Sequence, residues 1–296
     1  MRKASSLQGA SVRRIETLRC RARGTCAGRV LLTLLVAAIW LLWRPLVVSA
    51  AVTYCDTANY KIEVLDRFVE PTSNNDTGSR AIISTRNADL CNPVENGDVY
   101  SISSAWVMIY DISEKATGFD AYAQVGFIIC RSAPNVTCDG GSPTYTPRFF
   151  SEYDKGPSNP FVRKVGAIAN SGGTQYWYTA WRDPADGFIH LKYCSGGFSG
   201  SCFELDKTPF DPLNVWGRDI GSKFAGETHY FESDIPGYIP DHKTVFSSVQ
   251  EKISGTWQSA GTAQEGPHCS AYHLNYTSAS QFSVYTDPVQ RSVACP

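Results

Sequence analysis

Several sequence signatures of enzymes are missing from this chain of 296 residues. It has no CxxC pair of the kind that builds zinc sites, and no GxSxG motif of a serine hydrolase. No glycine-rich phosphate loop follows a strand and opens a helix. We therefore expect neither a metal nor another cofactor, and we look for chemistry in polar side chains alone.

Acidic residues are almost absent from the first 51 residues, which hold nine Lys or Arg and one Glu. An uncharged apolar run of 14 residues, Val30 to Trp43, follows this basic start, and the segment ends in small residues. This pattern is typical of a secretory signal peptide cleaved after Ala50 or Ala51. The alternative is an uncleaved anchor over 30–52, which would require Arg44 to reach the membrane surface. In both cases we expect residues 52–296 to be exported, and after cleavage to be a secreted protein that no longer contacts a membrane.

Basic residues are scarce beyond this leader. The rest of the chain holds 18 basic and 27 acidic residues, a net charge of −9. An acidic surface disfavours binding to nucleic acid or to anionic membranes. No Pro/Gly linker or internal repeat divides residues 52–296, so we expect one domain, and we expect it to be a monomer.

Cysteine occurs in an even number after the leader, which disfavours a free catalytic thiol and indicates four disulfides in an oxidising compartment. Eight cysteines allow 105 pairings. Closeness in sequence suggests Cys130–Cys138 and Cys194–Cys202, each around a turn-rich loop of seven residues. The remaining pairs would then be Cys55–Cys91 and Cys269–Cys295.

Long runs with helical periodicity are also missing, and Leu213–Ile220 is the main helix candidate. Short apolar and aromatic runs separated by turns predict an all-β fold, a sandwich of two antiparallel sheets like a concanavalin jelly roll. The predicted strands are Val99–Tyr110, Tyr122–Cys130, Arg148–Tyr153, Val162–Ile168, Gln175–Trp181, Phe188–Tyr193, Cys202–Leu205, Lys223–Phe231, Thr244–Ser248, Ile253–Gln258 and Gln281–Val284.

Two polar side chains interrupt otherwise apolar strands. Gln124 lies in the run YAQVGFII, and Glu227 lies in FAGETHYF. A buried amide or carboxylate needs hydrogen-bond partners, so each residue either faces solvent, closes a hydrogen-bond network in the core or belongs to a site. Because side chains alternate along a strand, His229 shares the face of Glu227.

Several motifs taken together resemble those of known proteins. SSAW ends at Trp106, YAQVG contains Gln124, RFFSEY contains Glu152, and GETH contains Glu227 and His229. The set resembles a group of uncharacterised secreted proteins with a lectin-like sandwich, and its order is similar to that of the glutamic peptidases (eqolisins). That resemblance implies Gln124 as the catalytic glutamine and Glu227 as the catalytic glutamate, with no metal. The Trp-Ile-x-Glu context of that glutamate is absent here, and Glu232 is a competing candidate.

Three functions remain open at this point. The leading hypothesis is a secreted module that binds glycans or another extracellular ligand, with Trp177 and Trp181 as stacking platforms beside Tyr176 and Tyr178. The alternatives are an acid hydrolase of polypeptides that uses the Gln/Glu pair, and a structural envelope protein. The aromatic residues could equally be ordinary sheet core.

The hydrolase hypothesis makes a geometric prediction. Gln124 and Glu227 should lie on facing or neighbouring strands with their side chains on one concave surface. Trp106, Trp177 and His229 should lie nearby, with Glu152 and Trp181 as further ligand-binding candidates.

Overall fold

Short β-strands dominate the computed structural model. It describes residues 55, 62–67, 76–93, 100–112, 121–132, 144–156, 161–216, 220–230, 232–238, 242–260, 263–264 and 271–287. Residues 52–296 group into one compact unit and residues 1–51 into another. The predicted leader therefore lies outside the described residues. In the described part of the chain, no helix has the length and apolar character needed to cross a membrane.

The first sheet contains seven strands among the described residues, in the order β14-β1-β10-β3-β4-β5-β6, and its neighbours are antiparallel. Hairpins join β3 to β4 to β5 to β6, whereas β10 comes from much later in the chain. The strands of the first sheet are β1 (Ile62–Arg67), β3 (Tyr100–Asp111), β4 (Tyr122–Ser132), β5 (Thr144–Asp154), β6 (Val162–Ile168), β10 (Ile220–Thr228) and β14 (Ala263–Gln264).

The second sheet has nine strands in the described chain. Eight follow the order β15-β16-β11-β12-β2-β7-β8-β9, and β13 pairs with β12. A single parallel pairing, between β11 and β16, joins otherwise antiparallel neighbours. The strands are β2 (Asp76–Ser84), β7 (Gln175–Arg182), β8 (Ile189–Ser195), β9 (Ser201–Lys207), β11 (Gly237–Tyr238), β12 (His242–Ile253), β13 (Thr256–Ser259), β15 (Tyr272–Ser278) and β16 (Gln281–Thr286).

The main hydrophobic core lies between the two sheets. Val107 and Phe127 of the first sheet belong to the same buried cluster as Ile83, Tyr178 and Phe246 of the second. Each strand contributes alternate residues to this core. The other face of the first sheet carries a separate buried cluster around Trp106, Met108, Tyr110 and Phe150. The predicted all-β sandwich of two antiparallel sheets is therefore confirmed.

Individual elements differ from the predictions in three places. The sequence patterns missed β1, β15 and the central strand β2, whose polar start hides its apolar half. The predicted strand Ile253–Gln258 is interrupted by a turn at Ser254 and Gly255, which have positive φ angles, so that Ile253 ends β12 and Thr256 begins β13. Of the predicted helix Leu213–Ile220, the described residues form one helical turn, α1 (Pro212–Val215), in which the Asp211 side chain caps the N–H of Leu213, and Ile220 begins β10.

Two of the predicted disulfides are confirmed, Cys55–Cys91 and Cys194–Cys202. The second closes the β8–β9 hairpin, where its two cysteines are direct cross-strand partners. Cys130 is also disulfide-bonded, and its predicted partner Cys138 lies outside the described residues. The same is true of the predicted pair Cys269–Cys295.

Candidate functional site

Gln124 and Glu227 point to the same side of the first sheet. Gln124 on β4 pairs with Met108 of β3, and Glu227 on β10 pairs with Ser104 of the same strand. Met108 and Ser104 are four residues apart, so they share a face. This is the face of the Trp106 cluster, away from the main core. The expectation of neighbouring strands is wrong, because β3 lies between β4 and β10.

Glu227 is held by two nitrogen atoms. Trp106 Nε1 donates to Oε2 at 2.8 Å, and His229 Nε2 lies 3.0 Å from Oε1. Glu227 is only 5% exposed to solvent, and Trp106 is fully buried. Trp106 reaches the carboxylate from the adjacent strand, and His229 follows two residues later along the chain. An ionised carboxylate can accept both bonds, so the geometry suits the charged form of Glu227.

Gln124 is fixed through Glu152 on the neighbouring strand β5. Its Nε2 donates to Glu152 Oε1 at 3.1 Å, and the two residues are direct register partners. The other polar atom of the Gln124 amide, Oε1, is buried and has no hydrogen-bond partner in the described part of the chain. Buried polar atoms are nearly always paired in folded proteins. An unpaired amide oxygen at this place is therefore suited to an accepting role toward a water or a ligand.

Glu152 is itself held by two further side chains. Tyr122 donates its hydroxyl proton to Oε1, and Arg163 of β6 donates from Nε to Oε2. Glu152 and Arg163 are cross-strand partners, and both side chains are almost fully buried. A buried carboxylate opposed by a guanidinium is a rigid support for the Gln124 amide. Glu152, predicted as a ligand-binding residue, is placed where it orients Gln124.

The Tyr122 hydroxyl is close enough to both Glu152 and Glu227 to be affected by their charges. Burial raises the pKa of its hydroxyl, and the negative charges of Glu152 and then Glu227 raise it further. Glu227 therefore lies close enough to act on the phenol that donates to Glu152. The Gln124 group and the Glu227 group belong to one electrostatic environment.

Trp177 and Trp181 do not belong to this face. They lie on β7 of the second sheet, and their alternate neighbours Tyr176 and Tyr178 fill the main core. The two tryptophans therefore face outward on the far side of the sandwich, and both are partly exposed. The expectation that Trp177 lies near Glu227 is wrong, as is the role of Tyr176 and Tyr178 as stacking platforms. The strand alternation was read correctly, but the sequence did not show which sheet contains β7.

Sequence reasoning missed Arg163 and Tyr122. Arg163 could have been found from the β5–β6 hairpin, because antiparallel pairing of the predicted strands Arg148–Tyr153 and Val162–Ile168 can place Glu152 opposite Arg163. Tyr122 precedes Gln124 by two residues on one strand, so it shares the same face. Glu232, the competing glutamate, follows the end of β10 in a turn.

A metal site has no obvious ligands here, since the described residues contain no group of three or more His, Cys, Asp or Glu side chains placed to hold an ion.

Comparisons with known proteins found similarity at the level of structure. No protein-family model matches the chain, and no curated protein matches it. A scytalido-glutamic peptidase with a peptide-based transition-state analogue has 13% identity and a TM-score of 0.47, covering 77% of this chain and 98% of that chain. SCP-B, a member of the eqolisin family of peptidases in complex with the tripeptide Ala-Ile-His, has 12% identity and a TM-score of 0.45 at the same coverage.

Proposed function

We propose that this protein is a hydrolase of the glutamic-peptidase type, in which Glu227 and Gln124 act on one peptide bond. The observation that carries the proposal is the state of Gln124. Its amide is oriented by Glu152, and its buried oxygen has no partner. This amide lies on the sheet face that also carries Glu227.

Each of the two side chains has a defined chemical task in this proposal. Glu227 takes a proton from a water molecule whose oxygen attacks the carbonyl carbon of the substrate. Gln124 Oε1 accepts a hydrogen bond from that water, and the second Nε2 proton donates to the oxyanion that develops. Glu227 then gives its proton to the leaving amine as the C–N bond breaks. The products are a carboxylic acid and an amine, and Glu227 returns to its charged form.

Trp106 and His229 prepare Glu227 for this role. Their nitrogen atoms contact different oxygens of the carboxylate, which limits its rotation and supports the ionised state of a general base. The contact with His229 is an ion pair only when the imidazole is protonated. Because His229 contacts one oxygen of the Glu227 carboxylate, we expect activity to depend on this residue as well as on Glu227.

The proposed substrates are extracellular polypeptides, and the proposed location is outside the cell. The disulfides of the described chain are compatible with an oxidising compartment. A glycan-binding groove beside Glu227 would lack the predicted aromatic platforms, because Trp177 and Trp181 lie on the other sheet. No contact among the described residues favours a structural envelope role.

The test is proteolysis of an unfolded protein by residues 52–296, measured between about pH 3 and pH 8. We expect Glu227→Gln to abolish cleavage, because an amide cannot act as a general base. Gln124→Ala should lower the rate about a hundredfold or more, by analogy with loss of an oxyanion donor. The matched control is Glu232→Gln, which changes the competing glutamate and should leave the rate unchanged.

Two results would contradict the proposal. One is cleavage by folded Glu227→Gln at the wild-type rate, and the other is no cleavage by the wild-type protein at any pH. Circular dichroism and thermal unfolding of each variant establish that the comparison is made between folded proteins.

A further inference from the structure

The outer face of the second sheet carries a row of stacked cations and aromatic rings. The guanidinium of Arg80 lies between two rings, 4.2 Å from the centroid of Phe198 and 4.1 Å from that of Trp257. Lys252 Nζ lies 4.4 Å from the Trp181 ring and 5.8 Å from the Trp257 ring. Each contact is favourable on its own. Together these contacts bring two positive charges, those of Arg80 and Lys252, to the indole of Trp257.

The backbone arranges this row through one glycine. Trp257, Lys252, Gly78 and Trp181 occupy one level across four adjacent strands, β13, β12, β2 and β7. A Cβ atom on Gly78 would lie 2.9 Å from Trp257 Cη2 and 3.3 Å from Trp181 Cδ1. The two indoles therefore close over Gly78 from both sides. Any larger residue there would push them apart.

Arg80 and Lys252 differ in their ion pairing from Lys192 and Lys207, two other cations on this face. Neither forms an ion pair with a residue that the structure describes, and Arg80 uses only Nε, which donates to Gln250 Oε1 at 2.7 Å. Lys192 is paired with Glu204, and Lys207 with Asp186. Desolvation is the largest cause that lowers the pKa of Arg80 and of Lys252, while the charge of Asp183 raises the pKa of Lys252 and the charge of Arg80 lowers it. The two cations repel each other at a place where an anion would relieve the repulsion.

Two further groups on this face could contact a ligand. Trp181 Nε1 is buried and has no hydrogen-bond partner among the described residues, so its N–H is an unpaired donor beside the two cations. Trp177 shares the face of Trp181, is partly exposed, and makes no ring or cation contact with the described residues. It lies four residues away on β7, about 13 Å along the strand at ~3.3 Å per residue.

We propose that this face binds an anionic polysaccharide. Arg80 and Lys252 contact its carboxylate or sulfate groups, and Trp177 stacks on a neutral part of a sugar ring. An extended polymer fits two contact points separated along one strand better than a single small ion does. The sheet face offers no free backbone edge here, because β2 and β7 are paired on both sides, so an extended peptide could not be added as a strand. This surface is independent of the hydrolase proposal, since it lies on the opposite side of the sandwich.

The test is titration calorimetry of residues 52–296 with four polymers. Polygalacturonate supplies carboxylates and dextran sulfate supplies sulfates, while neutral dextran and poly-glutamate are the comparisons. We expect one or both anionic polysaccharides to bind, with affinity that falls as salt is raised. The one that binds more tightly identifies the anionic group. Neutral dextran and poly-glutamate should bind weakly or not at all.

Variants distinguish this site from general charge attraction. Lys252→Gln and Arg80→Gln should each weaken binding about fivefold, the effect of one partly exposed charge contact, and Trp177→Ala should weaken it as well. The matched control Lys207→Gln removes a cation on the same face that Asp186 already pairs, and its affinity should stay within about twofold of wild type. If Arg80→Gln does not fold, Lys252→Gln carries the test.

Three results would overturn the proposal. They are no binding of either anionic polysaccharide, equal binding by wild type and Lys252→Gln, or tighter binding of poly-glutamate than of both polysaccharides. The last result would identify an acidic peptide as the ligand instead.

Discussion

At the scale of single residues, the acceptor of the indole N–H distinguishes two buried tryptophans, Trp106 and Trp216. Trp106 and Trp216 are both buried, and both donate through Nε1. Trp216 donates to the backbone oxygen of Lys155, whereas Trp106 donates to the carboxylate of Glu227. Bonds to charged acceptors are stronger than bonds to neutral ones. Only the Trp106 bond is expected to affect catalysis.

Trp106→Phe should therefore lower hydrolysis about tenfold to a hundredfold, because Glu227 loses the donor that holds Oε2. It should also lower the free energy of unfolding by about 1–3 kcal/mol, because a buried acceptor loses its partner. Trp216→Phe is the control and should lose stability without losing activity beyond that explained by unfolding. Peptidase rates and urea unfolding of both variants check this, and equal activity losses would contradict it.

At the scale of elements, the single helical turn α1 is fastened to the end of β7 by an ion pair. Arg182 donates to both oxygens of Asp211, from Nε at 2.7 Å and from Nη2 at 2.6 Å. Asp211 also accepts from the N–H of Leu213 as the N-cap. The bond from Arg182 is the largest cause that holds the pKa of Asp211 below its usual value. One carboxylate thus links a strand end to a helix start.

Asp211→Asn should lower the free energy of unfolding by about 1 kcal/mol at neutral pH, since asparagine keeps the cap but loses the charge. Because the pKa of Asp211 is lower in the folded state than in the unfolded one, its stabilisation is present above the unfolded pKa and is lost as pH falls through the folded pKa. Unfolding measured from pH 7 down to pH 2 should show the two proteins converging in acid.

Asp206→Asn is the control for that measurement. Asp206 pairs with Lys164, whose side chain is 59% exposed, so this change should have little effect at any pH. A difference between wild type and Asp211→Asn that does not shrink in acid would contradict the role given to the carboxylate charge.

At the scale of the whole molecule, the two described disulfides constrain very different lengths of chain. Cys55–Cys91 joins residues 36 apart, and Cys194–Cys202 joins residues eight apart across one hairpin. Cys55 and Cys91 also pack with Tyr230 in a small buried cluster that follows β10. The long-range bridge therefore ties the start of the compact unit to the segment next to Glu227.

Replacing both cysteines of Cys55–Cys91 by alanine should cost about 4 kcal/mol, against about 2.5 kcal/mol for Cys194–Cys202, because a longer loop loses more entropy in the unfolded chain when it is closed. Guanidinium unfolding of the two double variants measures the order. A larger loss for the short hairpin would show that native contacts, and not loop length, set the cost.

Much of the fold could be predicted from local patterns. The period of two predicted which residues of a single strand share a face, and it placed Glu227 with His229, whose Nε2 lies 3.0 Å from the carboxylate. Closeness in sequence predicted Cys194–Cys202, because a short turn brings the two strands into register. The polar start of β2, DTGSR, left no such pattern, and that strand was missed.

The candidate site depended on pairings that local patterns do not encode. The amino-acid sequence by itself determined the β class, the local pairing of Cys194 with Cys202 and the alternation of side chains along each strand, since these follow from periodicity and from spacing. Only the tertiary structure decided that β3 lies between β4 and β10 and that Trp177 faces away from Glu227. Sheet order arises from contacts between segments far apart in the chain, and their free energy depends on the packing of both sheets at once.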